Sequence, residues 1–125
     1  MTIERWPARA GPSASKSTMA DFSKLERKAL RELAGEVYEA EAGRMLEELA
    51  SSFDQWRDGK ILPSELLDSI HEFHQHQSRQ LWSMYQGLRE SDIVARGLAL
   101  DLIADARVAA SLLEKLTPYI ASYRR

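Results

Sequence analysis

Cysteine is missing from all 125 residues, which excludes a disulfide framework, a thiolate zinc site and a thiol nucleophile. Sulfur chemistry is confined to four methionines, and a reducing cytosol suits the composition. No apolar run approaches the ~20 residues needed to cross a bilayer. Neither sign of charge dominates: 17 Lys and Arg stand against 19 Asp and Glu, for a net charge of -2 and a pI near 5.9. The whole chain therefore has no electrostatic attraction to nucleic acid or to an acidic membrane. No stretch carries the residue spacing of a known catalytic motif, so the expectation is a non-enzymatic protein without a cofactor. A single domain accommodates this length, and a chain of this size can bury about two thirds of its unfolded surface without covalent staples.

Residues 1–20 combine two Pro, one Gly, a cluster of Ser and Thr, and three basic residues against one acidic, without an apolar period. That composition does not offset the entropy of ordering it. It also lacks the apolar centre of a signal peptide, and it reads as a flexible tail. Met19 is a candidate natural start, because the helical pattern begins at Asp21. Trp6 is the one tail residue suited to docking on a partner. The remainder, 21–125, reads as a single helical domain.

From Asp21 to Arg57 no proline intervenes, and Ser23 followed by Glu26 matches a capping box. The spacing predicts a helix of about 35 residues, roughly 50 Å long. Its apolar face carries Leu30, Leu33, Ala34, Val37, Tyr38, Met45, Leu49, Phe53 and Trp56, with Glu41 inside the arc and Glu48 on its shoulder beside Arg44. Gly35 and Gly43 lie near one side of the helix, where they allow a bend or the close approach of a neighbouring backbone. Asp58-Gly59 ends the helix and Pro63-Ser64 opens the next, a link short enough to force an antiparallel hairpin. Ile61 and Leu62 are expected to close the core against Phe53 and Trp56. In the second helix Leu66, Leu67, Ile70, Phe73, Leu81, Met84, Tyr85 and Leu88 share an arc about 180° wide, the width of a helix with two neighbours.

That pattern fails only over His74–Gln80, HQHQSRQ. Antiparallel pairing sets residues whose numbers sum to about 121 at one height, at equal rise on both helices. A continuous helix then forms a buried polar layer of Arg44, Glu48, His74 and Gln77. Such a layer must be internally paired, because an unpaired buried polar group costs roughly 1–3 kcal/mol. The alternatives are a kink or break in the helix that exposes all four, or a ligand site. Ser91 and Asp92 are candidate caps of a third helix, whose apolar period runs to Thr117-Pro118. Asp105 falls inside that arc, so it either interrupts the face or caps a separate fourth helix after a turn between Ile103 and Arg107. Pro118 fits the first turn of a short last segment with Tyr119, Ile120 and Tyr123. The expected fold is all-α, an antiparallel bundle of three or four helices built on a long hairpin. In it the N-terminal turns of the first helix overhang and pair with a second subunit, giving a homodimer.

The run Trp56-Arg57, Gly59, Ile61, Glu65-Leu66, Ile70-His71-Glu72-Phe73-His74, Arg79, Leu81-Trp82 and Tyr85 covers about a third of the chain. It resembles a segment of small all-helical bacterial proteins with an IHEFH-type motif and no established activity. Those proteins carry Gly-Pro after the second His, where this chain has His76-Gln77. The resemblance implies a bacterial origin and no function.

Three function classes follow from the residues. The first is a protein-protein interaction or regulatory protein, an adaptor or inhibitor, acting through Trp82, Tyr119, Tyr123, Arg27 and Arg31, since aromatics and arginine dominate binding hot spots. Tyr85 is read as core. The second is a metal-binding bundle with Asp68, His71, His74 and Glu48 as ligands, and Glu41 or Asp105 as further candidates. Such sites take a Glu-x-x-His from each of two helices, whereas here only the second helix carries His, so no metal is the expectation. The third is nucleic-acid binding through Lys24, Arg27, Lys28 and Arg31, against which stand the net acidity and the lack of a helix-turn-helix.

Overall fold

The computed structural model describes residues 22–124, so the tail expected over 1–20, with Trp6 and Met19, lies outside them. The described residues are helical and contain no strand. The chain is all-α, as its periodicities predict. Helix α1 spans Lys24–Arg57. Its start is built by the residues the sequence offers: Glu26 N–H donates to Ser23 Oγ at 3.0 Å, and Ser23 N–H donates to Glu26 Oε1 at 2.9 Å. Its end is at Gly59, which takes φ of 76°. Helix α2, Pro63–Glu72, begins with proline in its first turn, and Leu62 N–H donates to Glu65 Oε1 at 2.7 Å.

The single domain expected over 21–125 meets two compact units, one of residues up to Val37 together with Leu88 onward, the other Tyr38–Gly87. The first unit holds most of the buried side chains. Leu30, Leu33, Ala34 and Val37 of α1 are buried, as are Ile93, Val94 and Leu98 of helix α4, Glu90–Ala99, and Leu112, Leu116 and Ile120 of helix α5, Ala110–Tyr123. Gly97 sets how closely α1 and α4 pack. A Cβ placed there would lie 2.5 and 2.8 Å from the two Cγ atoms of Val37. Lys115 Nζ reaches Glu26 Oε1 at 2.8 Å, Arg107 Nε reaches Glu36 Oε1 at 3.1 Å with a second contact from its Nη2 to Glu36 Oε2, and Phe22 packs on Tyr119. The first turns of α1 are therefore occupied within this unit and do not overhang, which corrects the expected route to a dimer.

The helix predicted from Ser91 to Thr117 is divided. Asp101 adopts φ of 61°, a left-handed conformation that Asp tolerates better than most residues. Leu102 N–H then closes on Gly97 O at 2.8 Å. A 3-10 turn at Asp105–Arg107 follows before α5. The chain does turn between Ile103 and Arg107, but α5 starts five residues after Asp105, which opens the 3-10 turn and caps no long helix. Ser91 is not a cap: it is buried inside α4, and its hydroxyl has no hydrogen-bond partner among the described residues. Pro118 lies inside α5 and opens no separate segment.

Candidate functional site

The second unit is a helical hairpin: α1 from Tyr38 onward, α2, a π-helical turn over Phe73–Gln77, and helix α3, Ser78–Gln86. The Tyr38 ring meets Tyr85 edge-on at 5.1 Å between centroids, and Tyr85 Oη donates to Glu41 Oε1 at 2.5 Å. Glu41, an acid on an apolar arc, is thereby paired, and Tyr85 is core at 1% exposure. Burial comes first, and the Glu39 carboxylate second, in holding the Tyr38 hydroxyl above its ordinary pKa. Tyr38 and Tyr85 put residues whose numbers sum to about 123 at one height, within two of the expected register.

The π turn resolves the His74–Gln80 question: the four polar residues are exposed, as the kink-or-break alternative had them, but through an inserted residue and not a break. The helix does not break, and it does not turn polar groups inward. Ser78 N–H reaches back five residues to Phe73 O, so this turn holds one residue more than an α-turn. That residue rotates Gln77 away from the partner helix and brings half-buried Ser78 in its place. Leu81 and Tyr85 then fall in line behind Leu66, Ile70 and Phe73. Ser78 Oγ also donates to His74 O at 3.2 Å. The buried polar layer of Arg44, Glu48, His74 and Gln77 is absent: all four side chains are exposed. Among the described residues no three His, Asp or Glu side chains converge, so Asp68, His71, His74 and Glu48 are not brought together as a ligand set.

Two helices cover each other along one stripe only, and this hairpin has more apolar surface than that. Only Leu66, Leu81 and Tyr85 are buried in it. Leu46 is 53% exposed, Leu67 65%, Trp82 46% and Trp56 40%, while Leu49, Phe53, Ile70 and Phe73 are half-buried. The cap that Ile61 and Leu62 were expected to form with Phe53 and Trp56 does not close, since Leu62 is largely exposed. At 100° per residue, Leu46, Ala50 and Phe53 lie clockwise of the hairpin seam on α1, viewed from its N-terminus. On the antiparallel partner the matching flank carries Leu67, Ile70, His74 and Trp82. The two flanks make one broad, mainly apolar face, with a shallow groove along α1 lined by Leu46, Leu49, Ala50 and Phe53 and by the Asp54 and Arg57 ion pair. The opposite face carries Glu48, Ser52 and Gln55 from α1 with Ser69, Gln77 and Gln80 from the partner helices.

The other expected anchors lie in the first unit. Tyr119 packs on Phe22, and Tyr123 is half-buried with its hydroxyl raised above the ordinary tyrosine pKa by burial first and Asp92 second. Arg27 Nη1 donates to Phe22 O at 2.7 Å, Lys28 reaches Glu32 at 4.0 Å, and Lys24, Lys28 and Arg31 are all exposed. Of the anchors, Trp82 alone belongs to the open apolar face. Sequence reading missed Leu46 altogether and assigned Leu67 to the core. The signal lay in the width of the arcs: a 180° arc asks for two neighbours, and the hairpin supplies one. No family model, curated protein or solved structure matches this chain.

Proposed function

We propose that this protein works by binding a protein chain through the apolar face of its hairpin. The observation that carries the reading is the exposure of Leu46, Leu67 and Trp82 on one face. A rod over residues 63–86 is about 36 Å long, and two helices side by side are about 20 Å wide, so the face covers roughly 700 Å². The lack of cysteine suits an interaction in a reducing compartment such as the cytosol.

A photo-crosslinking amino acid placed at Leu46 or Leu67 in the cells that produce the protein tests this reading. Protein adducts are expected at both positions and not at Gln55 on the polar face. Equal yields at all three positions, or none at any, would refute an interaction through this surface.

A further inference from the structure

We infer that the chain seated on the hairpin face is a second copy of this protein, related by a two-fold axis parallel to the helices. The inference rests on the interaction reading above and names its partner. One pair of exposed charges, Glu47 and Arg79, favours this axis, and the area of the face suits a second copy. The outer edge of the apolar face is acidic along α1, where Glu39 and Glu47 are exposed, whereas Asp54 is already paired with Arg57 at 3.0 Å. The other outer edge, along α2 and α3, carries exposed Asp68 and His71 on α2 and Arg79 on α3, while His76 faces away and is paired with Glu72 at 3.1 Å.

Two copies placed face to face have two closed arrangements. A two-fold axis across the helices lays α1 on α1 and sets the acidic edge against itself. A two-fold axis along the helices lays α1 of one copy on α2 and α3 of the other and brings the acidic edge to the edge that carries Arg79. With heights matching at number sums of about 123, Glu47 of each copy falls within about 5 Å, along the axis, of Arg79 of the other. The same pairing occurs twice by symmetry. All four neighbouring helix pairs are antiparallel, which is the arrangement of a four-helix bundle. Face-to-face packing buries about 1,400 Å² in total, inside the range of stable protein interfaces. It also supplies the second neighbour that the apolar arcs of both helices require.

The test is the mass of the full chain in solution by sedimentation at micromolar concentration, with charge reversals. The native chain is expected as a dimer. Glu47→Arg and Arg79→Glu are each expected to weaken it by on the order of tenfold, and the two changes in one chain to restore it. Both sites are exposed, and unchanged helix content by circular dichroism confirms folding. A monomer, or a dimer that ignores the reversals or is not restored by their combination, overturns the inference. Crosslinks from Leu46 to a different protein would do the same while leaving the interaction reading in place. Absence of any crosslink would remove both.

Discussion

Gly97 has no side chain, and Val37 occupies the space that one would take. Gly97→Ala must displace a branched side chain in a packed core, and we expect a loss of roughly 1–3 kcal/mol in urea denaturation. Val37→Ala opens room for the new methyl, so the double variant should lose less than the sum of the two. Additive losses would mean that the two helices separate in the variants. The sequence carries no local mark of this role: Gly35 and Gly43 have as good a helical context, yet nothing lies within 4 Å of a Cβ placed on either. Tyr85 makes the opposite case, a polar atom among apolar neighbours with its partner on a different segment. Tyr85→Phe leaves Glu41 without its 2.5 Å donor. The expected cost is about 1–2 kcal/mol, checked by the same denaturation.

At the scale of the element, the π turn is an inserted residue that keeps two stretches of helix in phase. Removing one residue from Phe73–Gln77 should convert it to α-helix without rotating Leu66 and Ile70 relative to Leu81 and Tyr85. Deletion of His76 is therefore expected to preserve helix content and to change stability by less than about 1 kcal/mol, the exposed His76 to Glu72 pair being worth little. Deletion of Glu47 in α1 has no such slack. It turns everything after it by about 100° and moves Leu49 and Phe53 off the hairpin seam, so it should cost clearly more. Equal costs for the two deletions would show that the π turn does not hold the register.

For the molecule as a whole, pH reports on both units. Tyr123 in the first and Tyr38 in the second have pKa values raised above the ordinary tyrosine value. A raised folded pKa means that the contribution to stability is complete below about pH 10 and is lost as pH rises through the folded values. Urea midpoints should fall on the alkaline side, and a chain carrying both Tyr38→Phe and Tyr123→Phe should fall less steeply. At the acid end Glu26 is held below its ordinary range, by Lys115 first and by Ser23. Its contribution is present above the ordinary glutamate value and is lost as pH falls through the lowered one.

What the sequence settled by itself was local. The capping box at Ser23 and Glu26, the left-handed Gly59 and the proline that opens α2 all depend on residues within a turn or a short loop of one another. The tertiary structure decided which apolar residues are covered. A helical arc marks Leu33 and Leu67 alike, but the one is buried within the first unit while the other faces water, because coverage depends on what packs opposite and not on the pattern itself. It also decided the division after Ala99, where Asp101 takes a backbone conformation that no Gly or Pro announced. The fate of the histidine stretch was decided in the same way. One extra residue in a turn costs little locally, but it lets Leu81 and Tyr85 pack, and this long-range gain turned Gln77 outward where a strict 3.6 period had placed it inside.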